Sequence, residues 1–304
     1  MTGKGGVGKT TVAASLALLA SEHGRRALLC EIEGPGDVAS FLESDATGFT
    51  AREVLPDLWA MSMDTEASLR EYLRLHLRIP MVGRIGPLAK AFDFVATAAP
   101  GVREILTVGK LCYEVREQHY DLVVVDAPAS GHVVGELAAP QAINELVKVG
   151  LIRSQTDWML EILSDPDQTA LVIVTTPEEM PVNETLELAD RVGRETTVRL
   201  GAVIVNRVLP ELFGRHEEEV FDRLGRDDAV KELATLAGGD PRAVLAAARL
   251  AVTLRRSNAG HLERLRASLD PGVPMLYLPF LFSRFLGVRT VRQLAKALGE
   301  EMGF

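Results

Sequence analysis

Cysteine is scarce in this chain of 304 residues, which contains only two, Cys30 and Cys112. They lie far apart and form no C-x-x-C pair, which excludes a zinc site of the usual spacing and argues against a disulfide framework. No apolar run approaches the ~18 residues that a membrane-spanning helix requires. The N-terminus leads directly into a glycine-rich loop and not into the apolar core of a signal peptide. These absences predict a cytoplasmic protein in a reducing compartment.

Clustered basic charge is also missing. Lysine and arginine number 33 against 42 aspartates and glutamates, so the formal net charge is -9. An acidic chain repels nucleic-acid backbones and anionic lipid headgroups unless its basic residues are clustered. The densest basic runs are "GRR" and "LRRS", which are typical of a solvated helix face. No nucleic-acid partner is therefore expected.

Five short apolar runs predict the strands of a parallel sheet. They are apolar at consecutive positions, as expected of strands that are covered on both faces. They span residues 26–32, 121–127, 170–176, 201–207 and 273–279, and residues 58–63 form a weaker candidate. Helix-patterned sequence separates them, which favours an α/β fold with a doubly wound, mostly parallel sheet. We predict a single domain over residues 1–304.

The segment 64–119 has the pattern of a helical subdomain inserted into this domain. Asp64 is a suitable helix cap, and leucines follow it at helical spacing. Two further stretches, 133–164 and 211–270, are also mostly helical in pattern.

A glycine-rich loop at the front of the chain matches the phosphate-binding pattern GxxxxGK[ST] from Gly3 to Thr10. Glycines allow successive backbone N–H groups to turn toward phosphate oxygens, and the helix that follows directs its positive end at the anion. Lys9 is predicted to reach the β- and γ-phosphates, and the Thr10 hydroxyl to bind Mg²⁺. The residues predicted to contact the nucleotide here are Gly3, Gly5, Gly6, Val7, Gly8, Lys9, Thr10 and Thr11.

An acidic residue lies downstream where the second partner of Mg²⁺ is required. The apolar run "LVVVDA" ends in Asp126, which is predicted to serve the metal together with Thr10. The sequence therefore predicts a bound nucleotide with Mg²⁺.

Lys4 adds a second lysine early in the loop. The run "KGGVGKT" resembles the deviant phosphate-binding loops of the ArsA, MinD, ParA and nitrogenase iron-protein class. In that class the early lysine acts on the partner's nucleotide across a dimer interface. The resemblance implies a dimer whose closure completes two active sites, with Lys4 and Lys9 as catalytic residues.

Later segments favour the ArsA-type ATPases within this class. The run "VVVDAPASGH" resembles their switch II segment, although Pro128 falls one place earlier than in the family. The run "VIVNRVLP" resembles the strand end whose asparagine recognises adenine, which gives that role to Asn206; the alternative is an asparagine that closes a turn. The run "LPFLFSRFLGV" lies where the family's adenine-side loop sits, and it adds Pro279 and Phe280 as contacts of the base.

The chain departs from the ArsA-type pattern at several places. In the family an aspartate after the second strand positions the attacking water, and here Glu33 takes that place, which is compatible with slow hydrolysis. Arsenite efflux members bind their metalloid with a cysteine cluster, so no arsenite site is expected. Members that target tail-anchored proteins use an apolar helical groove. The candidates here, for which core packing is the alternative, are Leu73, Leu77, Met81, Val82, Ile85, Leu88, Phe92 and Phe94.

The strand that should precede the loop is missing from the sequence. A phosphate-binding loop leaves the carboxyl end of a central strand, but only Met1 and Thr2 precede Gly3. Two residues are too few for a strand of the usual ~5–6 residues. We expect an upstream segment to encode this strand; the alternative is a shortened chain that still folds. Its loss would unpair backbone groups on both neighbouring strands and open an apolar slot.

Together these patterns predict an ArsA-like ATPase that binds and hydrolyses Mg-ATP. The active sites would form at the interface of a homodimer, or of a heterodimer with a related ATPase. Hydrolysis would change the conformation of the helical subdomain, which would receive a protein client or a membrane partner that the sequence does not identify. The alternatives are a MinD- or ParA-like positioning ATPase and a weakly active nucleotide-binding subunit of a heterodimer.

Overall fold

The structure is a computed structural model that describes residues 1–33, 36–77, 101–211, 213–224, 226–283 and 287–304. Its strands are β1 (Ala27–Glu31), β2 (Arg52–Leu55), β3 (Leu58–Ser62), β4 (Leu122–Asp126), β5 (Leu171–Thr175), β6 (Leu200–Val208) and β7 (Met275–Pro279). Its helices are α1 (Lys9–Glu22), α2 (Asp37–Phe41), α3 (Thr65–Leu77), α4 (Val102–Arg116), α5 (Ser130–Leu146), α6 (Leu151–Ser164), α7 (Glu179–Glu195), α8 (Arg215–Leu224), α9 (Asp227–Ala237), α10 (Arg242–Ser268) and α11 (Val288–Met302).

Two sheets form the centre of the fold. One has the strand order β2-β3-β1-β4 and the other the order β5-β6-β7. The described strands pair in parallel, except that β2 and β3 are antiparallel. All five predicted apolar runs form strands, and the weaker candidate at 58–63 contains β3. The doubly wound, mostly parallel α/β fold predicted from the sequence is therefore confirmed.

Apolar side chains cover both faces of the sheets. On one face α1 packs against α11, and their side chains Val12 and Leu298 are fully buried in the same cluster. On the other face α4 to α7 pack together, with Met159 of α6 in a second cluster. Neighbouring residues of β5 point to opposite clusters, Ile173 to the second and Val174 to the first. Burial on both faces explains why the strands read as continuous apolar runs.

Met1 and Thr2 connect the two sheets. The Met1 amine donates a hydrogen bond of 2.6 Å to the Val125 carbonyl of β4. The Thr2 N–H donates to the Val172 carbonyl of β5 at 3.0 Å, and the Val174 N–H donates to the Thr2 carbonyl at 2.7 Å. These two residues thus lie at the end of a parallel strand position between β4 and β5, where the sequence predicted a strand to lead into the loop.

The rest of this strand position is a cavity of about 360 Å³. Its lining is mostly apolar and includes Val123 of β4, Leu171 of β5, Cys112 of α4 and Leu163 of α6. The residues that the structure describes therefore leave an apolar slot between β4 and β5. Burial lowers the pKa of the Met1 amine at the end of the slot to about 6.

The two described helices of the predicted insertion, α3 and α4, pack against each other. The Asp64 carboxylate accepts a hydrogen bond of 2.6 Å from the Ala67 N–H, which confirms the predicted cap. The Lys110 amine of α4 lies 2.8 Å from the Glu71 carboxylate of α3. The predicted groove residues Met81, Val82, Ile85, Leu88, Phe92 and Phe94 lie outside the described residues. The subdomain 64–119 stays a prediction.

Helix α10 is 27 residues long, and Leu265 is its buried side chain.

Across the ranges that the structure describes, no helix is both long enough and apolar enough to cross a membrane.

Candidate functional site

Glycines shape the loop between Thr2 and α1. Gly6 and Gly8 have φ angles of 86° and 92°, in the left-handed region that favours glycine. A Cβ atom at Gly8 would lie 2.5 Å from the Asn206 amide nitrogen, and one at Gly3 would lie 2.0 Å from the Val174 carbonyl oxygen. Gly5 has open space around it, so neither φ nor packing demands a glycine there. The loop can adopt this path only with glycine at three of its four glycine positions.

The start of α1 presents backbone donors to the loop. Gly8 caps the helix without a side-chain hydrogen bond, and the first turn contains no acidic residue. The first N–H groups of such a helix lack partners within the helix and attract anions. Lys9, the first residue of α1, places its amine 3.5 Å from the Lys4 carbonyl oxygen of the loop. This end of α1 can therefore bind a phosphate chain.

Thr10, in the first turn of α1, forms a hydrogen bond with Asp126 at the end of β4. The Thr10 hydroxyl donates a hydrogen bond of 2.6 Å to Oδ2 of Asp126, at the carboxyl end of β4. Oδ1 of the same carboxylate is buried and has no hydrogen-bond partner among the described residues. Burial raises the pKa of Asp126, while the bond from Thr10 and the positive charges of the Met1 amine and Lys9 lower it. A buried carboxylate oxygen without a partner beside a hydroxyl fits a divalent cation.

Lys4 pairs with an acidic residue that the sequence interpretation did not include. Its amine lies 2.7 Å from Oε1 of Glu184 in α7. Lys4 and Glu184 are 180 positions apart in the sequence, so no local spacing reveals the contact. The ammonium group of Lys4 thus lies beside a carboxylate of its own chain.

The segment after β1 contains two glutamates with different surroundings. Glu31 is buried and accepts hydrogen bonds from the Gly36 N–H at 3.2 Å, the Val38 N–H at 3.4 Å and the Ser62 hydroxyl at 3.1 Å. Burial raises its pKa, and these three bonds lower it. Glu31 therefore holds the turn that leads into α2, which is a structural task.

Glu33, the predicted water-orienting residue, has an exposed side chain. Burial raises the pKa of Glu136 of α5 to about 7, and the negative charges of Glu33 and Glu104 contribute to the rise. Asp37, the first residue of α2, was not predicted as a site residue. Its negative charge contributes to the raised pKa of both Glu31 and Asp126.

Asn206 forms a hydrogen bond with the backbone of the glycine loop. It is buried at the end of β6, its amide nitrogen donates to the Val7 carbonyl at 2.8 Å, and its amide oxygen accepts from the Arg207 N–H at 2.9 Å. Beyond these two bonds, the amide group has one more N–H and one more lone pair with which it can bind a base. Recognition of adenine by Asn206 stays a prediction.

Pro279 and Phe280 lie at the same edge of the sheet as Asn206. The Phe280 N–H donates to the Val208 carbonyl at 2.8 Å, which places the end of β7 next to the end of β6. The ring of Phe280 is 36% exposed and lies 4.8 Å from the ring of Phe282. An exposed aromatic pair at this edge is suited to stacking on a base.

Both cysteines are buried free thiols, and burial raises the pKa of each. Cys30 and Cys112 belong to different apolar clusters. In the part of the chain that the structure describes, no group of three His, Cys, Asp or Glu residues could hold a metal ion.

The family model for anion-transporting ATPases matches residues 1–160 and 151–224 of the chain. The protein "ATPase BagA" of Mycobacterium tuberculosis (strain ATCC 25618 / H37Rv) is 34% identical over 221 residues, which cover 69% of this chain and 64% of BagA. An "Arsenical pump-driving ATPase" of Acidiphilium multivorum is 25% identical over 237 residues, covering 71% of this chain and 40% of that protein. The "ATPase get3" of Pyrenophora tritici-repentis is 30% identical over 164 residues, covering 52% of this chain and 48% of that protein.

The matched region is thus less than two thirds of the length of each of these relatives. The residues that the family model matches include the glycine loop, β4 with Asp126 and β6 with Asn206. On these matches and the fold, the chain belongs to the ArsA-type family of anion-transporting ATPases.

Proposed function

We propose that the chain binds and hydrolyses Mg-ATP, and that its active sites form in a dimer with a second copy or with a related ATPase. The observation that carries the proposal is the Thr10–Asp126 pair, whose second carboxylate oxygen is buried and unpartnered beneath the glycine loop. A structural carboxylate at the end of a buried strand would have both oxygens satisfied. A site that receives a cation together with a phosphate chain explains the arrangement. A cytoplasmic site of action belongs to the same proposal.

Different residues of this chain would bind the phosphates, the magnesium ion and the adenine of Mg-ATP. The backbone N–H groups of the loop and of the first turn of α1, with the Lys9 amine, would bind the phosphates. Thr10 and Asp126 would hold Mg²⁺. Bound Mg-ATP supplies a phosphoryl group whose transfer to water the protein accelerates. Asn206 and Phe280 are at the edge where the adenine would lie.

We assign the main catalytic effect to Lys4 of the partner. A cation supplied across an interface to a phosphoryl-transfer site is worth about 10³–10⁵ in rate, which is about 4–7 kcal/mol. The helix dipole at the start of α1 offers only about 0.3–1 kcal/mol. Glu33 would orient the attacking water, and its exposed, longer side chain holds a water less rigidly than the aspartate of the family pattern.

Helix α5 links the site to a second apolar cavity. It begins at Ser130, four residues after Asp126, and its far end contributes Ile143 to a cavity of about 350 Å³ between α3, α4, α5 and α6. A shift of α5 on nucleotide binding would change the shape of this cavity. We propose that this cavity, which the helical subdomain shares with α5 and α6, responds to the nucleotide and contacts a protein client or a membrane partner.

The exposure of Glu33 favours a second candidate function. If no side chain holds the attacking water firmly, the chain would bind ATP and turn it over slowly. It would then act as the nucleotide-gated subunit of a heterodimer in which a related chain hydrolyses faster.

Asp126→Asn is expected to abolish the magnesium dependence of nucleotide binding. The amide retains the size of the carboxylate and still accepts a bond from Thr10, but it removes the charge that a divalent cation requires. Calorimetric titration with a non-hydrolysable ATP analogue should show affinity in magnesium falling roughly 10- to 100-fold, toward the value without magnesium.

Asp121→Asn is the matched control. Asp121 lies just before β4, at the opposite end of the strand from Asp126, and it is exposed and paired with Arg26. Its replacement should leave nucleotide affinity unchanged. An Asp126→Asn variant that binds the analogue with undiminished magnesium dependence would contradict the assignment of the metal site.

A further inference from the structure

Glu184 connects three separate parts of the nucleotide site. Its Oε1 lies 2.7 Å from the Lys4 amine, and its Oε2 accepts a long hydrogen bond of 3.5 Å from the Ser130 hydroxyl. Lys4 is in the glycine loop, Ser130 begins α5, and Glu184 is in α7. One carboxylate thus contacts the loop and the segment that follows Asp126.

Other bonds hold the same segment against the loop. The Ser130 N–H donates to the Gly3 carbonyl at 3.2 Å, and the Thr2 hydroxyl donates to the Pro128 carbonyl at 2.8 Å. The backbone just before Lys4 is therefore held against the segment that contains Pro128 and Ser130. The Lys4 side chain, in contrast, is 30% exposed, and that of Glu184 is 31% exposed, so both can exchange partners at the surface.

We propose that Glu184 is the positioning residue of Lys4: it retains the lysine within its own chain and releases it when a nucleotide-bound partner docks. The inference rests on the proposed function, in which Lys4 contacts the nucleotide of the partner. In the proposed dimer the Lys4 amine exchanges the Glu184 carboxylate, which is 2.7 Å away in this structure, for a phosphate of the other chain. A triphosphate carries several negative charges and attracts the lysine more strongly than one carboxylate does.

The strength of the pair suits a reversible contact. Exposed ion pairs change an equilibrium by roughly 1.4- to 5-fold, much less than the effect of a cation on phosphoryl transfer. Glu184 therefore biases the chain toward the undocked form without preventing docking. It also withdraws Lys4 from other anions while no partner is present.

Carbodiimide cross-linking detects the contact directly, because this reagent joins an amine and a carboxylate that already touch. In the nucleotide-free protein we expect a Lys4–Glu184 isopeptide bond, identified by mass spectrometry of digested peptides. Mixing isotopically labelled and unlabelled chains should show that both residues come from the same chain. A non-hydrolysable ATP analogue with magnesium, at chain concentrations at which the dimer forms, should remove most of this cross-link.

Substitution measures the energetic effect of the pair. Glu184→Gln should lower the dissociation constant of the nucleotide-bound dimer roughly 2- to 5-fold in sedimentation experiments, because docking no longer breaks an ion pair. In a Lys4→Ala background the same substitution should have no effect. Glu187→Gln, three residues further along α7 and exposed, is the matched control and should leave the dissociation constant unchanged.

The outcomes separate this inference from the proposed function. Calorimetry on the cross-linking sample reports whether the analogue binds. A cross-link that persists at full yield while the analogue is bound would overturn the role of Glu184 and leave ATP binding intact. No binding of the analogue would overturn both. No cross-link in the nucleotide-free protein, or equal effects of Glu184→Gln with and without Lys4, would also overturn the inference.

Discussion

Lys4→Ala is expected to reduce ATP turnover by about 10³–10⁵-fold while most of the affinity for ATP remains. The loop amides, Lys9 and Thr10 belong to the same chain as the nucleotide that they bind, so the loss of Lys4 leaves them intact. Lys4 would act only on the nucleotide of the partner, and mainly on the charge that develops during phosphoryl transfer. Steady-state turnover and calorimetric affinity, measured on the same sample, separate the two effects.

A mixing experiment tests the action between chains. Lys9→Ala removes the phosphate-binding lysine but leaves Lys4 available to a partner. In an equal mixture of Lys4→Ala and Lys9→Ala chains, half of the dimers are mixed, and each of these has one complete site. Turnover should therefore recover to about a quarter of the wild-type rate. A mixture that stays inactive, or a Lys4→Ala chain that loses binding and turnover equally, would contradict a role across the interface.

Filling the slot between β4 and β5 is expected to raise the free energy of unfolding by about 3–5 kcal/mol. An extension of five valine and isoleucine residues directly before Met1 continues the parallel register that Met1 and Thr2 already follow. It would bury apolar side chains in the cavity of about 360 Å³ and pair backbone groups on both neighbouring strands. Denaturant titration measures the gain, and the melting temperature should rise by roughly 5–10 °C.

The pH dependence of stability gives this prediction a second readout. The pKa of the Met1 amine is about 6 in the folded chain against its ordinary value of 8.0, so between these values the unfolded chain binds more protons. Stability therefore increases with pH from 6 to 8, by up to about 3 kcal/mol. The extension converts the amine to an amide and should remove this contribution.

An extension of five glycine and serine residues is the control. It also removes the amine but offers no apolar side chains to the slot, so it should flatten the pH dependence without the larger gain in stability. If the apolar and the polar extensions stabilise the chain equally, the slot is not a strand position.

The strands and the glycine loop could be predicted because their signals are local. Each buried parallel strand is a continuous run of apolar residues, and the loop contains glycines at fixed spacing before a lysine and a threonine. Strand β2 was not predicted, since it is a short antiparallel edge strand with polar, partly exposed residues. Edge strands of this kind lack the apolar run that marks a buried strand.

The contacts around the loop could not be predicted, because they join residues that are distant in the chain. Glu184 meets Lys4, and Asn206 binds the Val7 carbonyl, only after the sheet has brought α7 and β6 to the loop. The two glutamates of the β1 segment, Glu31 and Glu33, are a similar case. Their spacing did not reveal that Glu31 is used to hold backbone N–H groups while Glu33 remains exposed.

Turnover per chain as a function of chain concentration tests the central claim most directly. The site is proposed to be complete only when two chains dock, so at saturating Mg-ATP the rate per chain should increase with concentration and then reach a plateau. Sedimentation at the same concentrations should show the dimer forming in parallel. A rate per chain that stays constant while sedimentation shows only monomer, or no turnover at concentrations where the dimer is complete, would contradict the account.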